Sequence, residues 1–315
     1  GRLAHATATP MLAIFLKTLP FFGLIGLGWF AGRIRFFTPE ATAWLTKFVF
    51  YFALSAMLFR FTATLPLEEL FDLDFFLAYL LGSALVWGIG FAVAKARGLD
   101  LSSAAMEAHT GMTGNTGFLG VPMLVVLLGA QAVGPVLMVL AIDLIVFSSL
   151  ITLLITGARH GRVSLVPLVK GLLKNPMIVS MVAGLLWAGL HIPMPGPLQE
   201  FVSILGAAAT PGALFAIGAS LADKNAERIG PAAWLSFAKL VLHPVAIAVA
   251  ALMIFDVEPF AAGVMIAAAA LPVAGNVYIL ASHYNVAPQR VSAAILISTA
   301  ISILTIPAVI AWVTG

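Results

Sequence analysis

An all-α integral membrane protein with ten spans, arranged as two inverted sets of five, is the fold class this sequence predicts, and three observations predict it. Of 315 residues, 62% are hydrophobic and 9% charged, and the mean hydropathy is +1.09; an ordinary soluble domain carries about 25% charged residues. Apolar stretches of roughly the 20 residues needed to cross a bilayer recur along the whole chain. The charges between these stretches alternate in sign from one connection to the next.

Residues 1–10, "GRLAHATATP", precede the first Met and read as a tag remnant, so they are set apart from the fold. Ten apolar segments follow, at about 11–32, 40–62, 74–96, 101–128, 132–157, 172–192, 198–222, 231–254, 257–283 and 287–313. The first connection carries Arg33 and Arg35, the second Glu68, Glu69, Asp72 and Asp74, the third Lys95 and Arg97, and the fourth the uncharged "GAQAVG". Arg159, Arg162, Lys170 and Lys174 come next, then Glu200, then Lys224 and Arg228, then Asp256 and Glu258, and finally Arg290. Basic connections therefore lie on one side only, and the positive-inside rule places both termini outside the cytoplasm.

Ten spans with both ends on one side divide into a first repeat over 11–157, a cytoplasmic connection over 158–171 and a second repeat over 172–315. Five is odd, so the second set enters the membrane upside down relative to the first. At an offset of 161, "GNTGFLG" from Gly114 falls on "GNVYILA" from Gly275, both in the fourth span of their half.

Those two stretches are poor helix material at membrane depth. Pro122 lacks an N–H and clashes with the preceding turn, while Gly114, Gly117 and Gly120 lower the cost of leaving helical geometry; Pro272 and Gly275 do the same around Asn276. Hydrocarbon tolerates broken helix only where protein or a water-filled cavity surrounds it. Paired breaks in two inverted halves point to a midplane binding site, and half-helix N-termini there favour an anion. Asn115, Thr116, Gly117, Gly275 and Asn276 are the expected binding residues, and Gly114, Gly120, Pro122 and Pro272 the expected crossover residues. The alternative is a pair of ordinary proline kinks packed by small residues.

"FFTPEATAWLTKFVFYFALSAMLF", "GNTGFLGVPML" and "ALPVAGNVYILASHYNV" resemble the auxin efflux carrier family, the PIN-like transporters with their bacterial malonate and organic-acid carrier branch. The resemblance spans the chain. It implies crossing helices 4 and 9 beside the substrate, an architecture shared with bile-acid/sodium symporter-like and sodium/proton antiporter-like proteins. It further implies a transport domain of helices 3–5 and 8–10 moving in an elevator manner against a scaffold of helices 1, 2, 6 and 7, and leaves room for a homodimer through the scaffold. The family's Asn, Gly and Pro fall on Asn115, Gly120 and Pro122. Val277 and Ser55 stand where the plant members have proline, so the ninth helix must lean on Pro272 and Gly275. The short connection between the halves matches the compact bacterial branch.

Ionisable groups inside spans cost a few kcal/mol or more each and are functional suspects. Asp143 lies mid-span in the fifth segment and is the leading ion-coupling candidate; an ion pair with Lys239 or another cation is its structural alternative. Glu107 and His109 lie on the cytoplasmic side of Asn115, and Glu107 is the reserve candidate. Lys239 and His243, spaced i, i+4, share a helix face. Lys17, Lys47 and Arg60 lie nearer span ends and read as snorkelling side chains.

The inventory excludes other chemistries. No cysteine is present, so disulfides and thiol chemistry are out. Walker loops and metal-ligand spacings are lacking, and no cofactor is expected. A net charge of +3 from 16 basic and 13 acidic residues is too dispersed for nucleic acid. Residues and resemblance together predict a secondary active transporter of a small carboxylate in the bacterial inner membrane, with a proton as coupling ion. Sodium coupling, a passive channel and a ligand-sensing receptor on the same helices are the alternatives.

The orientation is testable directly. A cysteine introduced at Gln131 should react with an impermeant maleimide from outside intact cells, and one at Arg162 should react only after permeabilisation. The reverse pattern overturns the orientation and leaves the repeat untouched.

Overall fold

The computed structural model describes residues 2–227 and 229–315. Arg228, counted above among the basic connections, lies outside the described residues. The chain is helical throughout, and among the described residues the only β feature is one isolated antiparallel bridge, Gly114 to Val273.

In chain order the helices longer than the single turn Leu67–Leu70 are α1 (Arg2–Arg33), α2 (Pro39–Ala63), α3 (Leu73–Ala96), α4 (Leu101–Thr110), α5 (Thr116–Leu128), α6 (Ala130–His160), α7 (Val166–Lys174), α8 (Pro176–Gly189), α9 (Gly196–Leu221), α10 (Ile229–Ile254), α11 (Pro259–Ala269), α12 (Gly275–Tyr284) and α13 (Pro288–Thr314). Seven are long and apolar enough to cross a membrane, or eight if the bent pair α7 and α8 counts as one. Three departures from the expected segments stand out. Backbone helix runs from Arg2, through most of the stretch set apart as a tag remnant. The sixth segment begins at Pro176, because Asn175 caps α8 and α7 turns away by 72°. The fourth and ninth segments are each two short helices joined by non-helical chain, over 111–115 and 270–274.

Boundary chemistry accounts for the starts. Thr38, Asp72, Asn175 and Glu258 each accept a first-turn N–H with a side-chain oxygen, and Pro follows in the first turn after Thr38, Asn175 and Glu258. Within the long helices, five wide π-helical turns occur, at Val49–Ala53, Thr116–Gly120, Asp143–Phe147, Ala238–Leu242 and Ala250–Ile254.

Packing sorts the helices into two groups. One is α1 along α9 and α2 along α8 and α9; the other gathers α3, α4, α6, α10, α11 and α13 around the two breaks. The groups touch where α1 meets α13 and where α9 meets the start of α5. Glycine sets the spacing of the first group, since helices in lipid gain little from apolar contact and depend on close backbone approach. A Cβ on Gly218 would collide with the carbonyl of Ile25 and come within 2.7 Å of the Trp29 nitrogen; one on Gly32 would reach 2.7 Å from the Ala222 Cβ. Gly206 similarly lies against Met57, where a Cβ would sit 3.1 Å from the backbone nitrogen.

Gly218→Ala should therefore lower the thermal midpoint of the purified protein, by an overpacking cost of about 1–3 kcal/mol. Gly275→Ala should leave the midpoint in place, because nothing lies within 4 Å of a Cβ there. Equal midpoints for both variants would contradict the close α1–α9 approach.

Candidate functional site at the helix crossing

The breaks after α4 and α11 meet. Asn115 donates its N–H to the Pro272 carbonyl at 2.9 Å, and Ala274 donates to the Thr113 carbonyl at 3.0 Å, forming the bridge centred on Gly114 and Val273. The interrupted helices thus satisfy part of each other's backbone, as membrane depth demands. The Val273 N–H is taken by Ser298 Oγ on α13 at 3.0 Å. At the end of α4, the N–H groups of Met112 and Thr113 return to the His109 carbonyl at 3.3 and 3.0 Å.

Gly114 lies close to Lys239: a Cβ there would lie 3.0 Å from its Cε and 3.2 Å from Nζ. Gly120 and Gly117 are also tight, a Cβ meeting Leu271 Cδ1 at 2.7 Å and Met177 Sδ at 2.9 Å respectively. Pro272 lies inside the second break as expected. Pro122 does not interrupt the fourth segment; it sits in the first turn of regular α-helix at Val121–Leu128, after the wide turn Thr116–Gly120. The break lies upstream, where Gly111 and Gly114 flank it.

The register of the two halves also differs from the sequence alignment. α4 ends at Thr110 and α11 at Ala269, α5 starts at Thr116 and α12 at Gly275, and the bridge joins Gly114 to Val273. Each pair is separated by 159 residues (269 less 110, 275 less 116, 273 less 114). The offset of 161 that superimposes the two Gly-Asn pairs is two residues longer than this separation. Asn115 therefore precedes its half-helix, while Asn276 is the second residue of its own. Asn115 is 9% exposed, and among the described residues its side-chain amide bonds to no protein group; Thr116 Oγ1 is sealed in without a partner. Asn276 is exposed, at the open start of α12.

The ionisable residues form a second layer behind the crossing. Tyr79 on α3 donates its hydroxyl to Asp143 Oδ1 at 2.6 Å, and both are buried. Ser83, one turn on, meets His243 Nε2 at 2.8 Å, and the Tyr79 and His243 rings lie 5.9 Å apart. Lys239, fully buried, donates to the Ala269 carbonyl at the C-terminus of α11, where a cation complements the helix dipole. Asp143 and Lys239 do not form an ion pair within 4.0 Å among the described residues. The sequence alternative of a direct Asp143–Lys239 pair is replaced by Asp143 on Tyr79 and Lys239 on a helix end. Each charge sits in a wide turn, Asp143–Phe147 and Ala238–Leu242, a distortion that recurs at functional sites.

Glu107 has a different setting from the one expected of a proton carrier. Its two oxygens bond Arg97 Nη1 at 2.8 Å and Arg290 Nη1 at 3.0 Å, clamping the α3–α4 connection to the start of α13. Among the described residues the His109 ring has Thr113 Oγ1, at 3.3 Å, as its hydrogen-bond partner. Lys17 is exposed, Lys47 lies over Trp44 and Arg60 reaches Ser203 at 3.3 Å. Tyr79 and Ser83 are the members of the layer that the sequence did not single out; their i, i+4 spacing in an apolar helix was the available signal.

Helices long and apolar enough to span, two broken ones joined back to back, and a buried polar layer behind the junction define a polytopic membrane protein of the transporter class. The chain belongs to the membrane transport protein family, the auxin efflux carrier group its motifs resemble, matching that family over residues 13–164 and 158–310. It is 33% identical over 295 residues to a "Putative malonate transporter" of Rhizobium meliloti (strain 1021), covering 91% of this chain and 92% of that one. It is 26% identical over 310 residues to the "Uncharacterized transporter YfdV" of Escherichia coli (strain K12), covering 94% of this chain and 97% of the relative. These similarities are to transporters, and the chain is a transport protein, not an enzyme.

Tyr79→Phe should leave a buried carboxyl without its donor. A loss of about 1–3 kcal/mol is expected, read as a lower thermal midpoint. An unchanged midpoint would mean that the hydroxyl does not hold Asp143.

Proposed function

We propose that the chain is a secondary active carrier of a small carboxylate, built as ten spans in two inverted repeats, with α4–α5 and α11–α12 as the fourth and ninth. The observation that carries this reading is the back-to-back bridge at Gly114 and Val273, which gathers two half-helix N-termini and the free Asn115 amide at one buried point. First-turn N–H groups have no intrahelical partner, and together with the dipole they favour an anion. The common separation of 159 residues between equivalent landmarks supports the repeat.

The group α1, α2, α8 and α9 serves as scaffold, and also as the face for pairing two copies; the group around the breaks is the moving body. The glycine-tight contacts within the first group support that division. Asn115, Thr116, Gly117 and Gly275 form the substrate cradle, with Asn276 at its open edge. The protein sits in the bacterial inner membrane with both termini outside, on the charge alternation. Malonate is the first substrate to test, because the Rhizobium relative carries that name.

Asp143 carries the coupling proton, held by Tyr79. Lys239 supports a proton over sodium, since its ammonium already occupies the carbonyl end where a coupling cation would bind. Glu107, doubly ion-paired, serves as a clamp instead of a reserve carrier.

Proteoliposomes loaded with malonate should show saturable counterflow of labelled malonate, and an imposed pH gradient should drive accumulation that a protonophore abolishes and sodium replacement does not. Asp143→Asn should keep counterflow and lose accumulation; Asn115→Asp, placing a negative charge in the cradle, should weaken binding more than Asn115→Ala. No counterflow with any mono- or dicarboxylate would refute the carrier reading. Normal accumulation by Asp143→Asn would refute coupling at that residue.

A further inference from the structure

The connection between the halves holds a feature the transport reading does not use. α7 (Val166–Lys174) has no buried residue, yet five of its nine residues are Val or Leu. Leu168 and Leu172, one turn apart, are half-buried and face the protein, against α6 and α8. Val166, Val169 and Leu173, at 61%, 51% and 70% exposure, form an outward stripe at i, i+3 and i+7. Lys170 and Lys174 flank that stripe one turn apart and are exposed.

Two observations say what covers the stripe. No Asp or Glu occurs between Asp143 and Glu200, whereas Arg159, Arg162, Lys170 and Lys174 all fall there, so the surface matches an anionic partner. The stripe also adjoins an apolar outer face: α8 exposes Val179, Val182 and Leu186, and α7 turns from α8 by 72° at Asn175–Pro176. A helix with an apolar stripe flanked by lysines is suited to lie in the membrane plane, its stripe at the acyl boundary.

We propose that α7 is an interfacial helix seated on anionic phospholipid headgroups, with Val166, Val169 and Leu173 immersed and Lys170 and Lys174 on the phosphates. The inference is independent of the substrate and of coupling, since it concerns a segment remote in the chain from the crossing.

The absence of native cysteine makes a single label unique. In nanodiscs of phosphatidylcholine with three-tenths phosphatidylglycerol, a nitroxide on Val169→Cys should be open to oxygen and shielded from a water-soluble nickel chelate. A fluorophore on Gly171→Cys should transfer energy to labelled phosphatidylglycerol more than to labelled phosphatidylcholine at equal mole fraction. Lys170→Gln with Lys174→Gln should remove most of that preference, since each cation near an anionic surface contributes roughly fivefold. Both substituted lysines are exposed, so folding is not at stake. A chelate-accessible nitroxide, equal transfer to the two lipids, or a preference unchanged in the double variant would each overturn the proposal.

Discussion

Everything near the middle of this molecule depends on one requirement: at membrane depth, each peptide N–H and C=O freed from a helix must find another partner. Two helices are interrupted, and each interruption answers the other through a two-hydrogen-bond bridge. That bridge draws in its own supports. Ser298 takes the next N–H, Lys239 takes the carbonyl at the end of α11, and Gly114 lies beside that lysine. An amine buried among apolar helices is expensive, and here a helix C-terminus supplies its compensation.

The buried charges are held by neutral or dipolar partners. Asp143 rests on a phenol and Lys239 on a peptide carbonyl, with no direct pair between them. Removing one partner from a tight buried pair strands the other, so a separated arrangement lets each site be occupied independently. The clamp at Glu107 follows the opposite rule. It binds two arginines at once, ties together elements 183 residues apart, and sits where Arg97 remains partly open to water.

Much of this was legible in the sequence, for physical reasons. Long apolar runs and the sign of the intervening charges are local properties of composition, so the helices fell near their expected places, and Gly114 and Pro272 marked the breaks. Pro122 misled because a proline in the first turn of a helix and one in a break look alike in sequence. The two Gly-Asn pairs align at 161, whereas the ends, starts and bridge of the two broken segments lie 159 residues apart, a spacing that shows only once the segments meet. Tyr79 lies 64 residues from Asp143, and Arg290 is similarly remote from Glu107, so those contacts depend on tertiary packing that periodicity does not encode.

The wide turns carry a mechanical consequence. A turn that closes over five residues instead of four is a local loosening of the helical rod, with a longer ring and a lower resistance to bending than the regular helix on either side. In α6 and α10 that flexural weak point coincides with the charge each carries at mid-depth, Asp143 and Lys239. The rod therefore changes its helical register at the residues where the polar layer is anchored, which sets the direction in which each charged side chain leaves its helix.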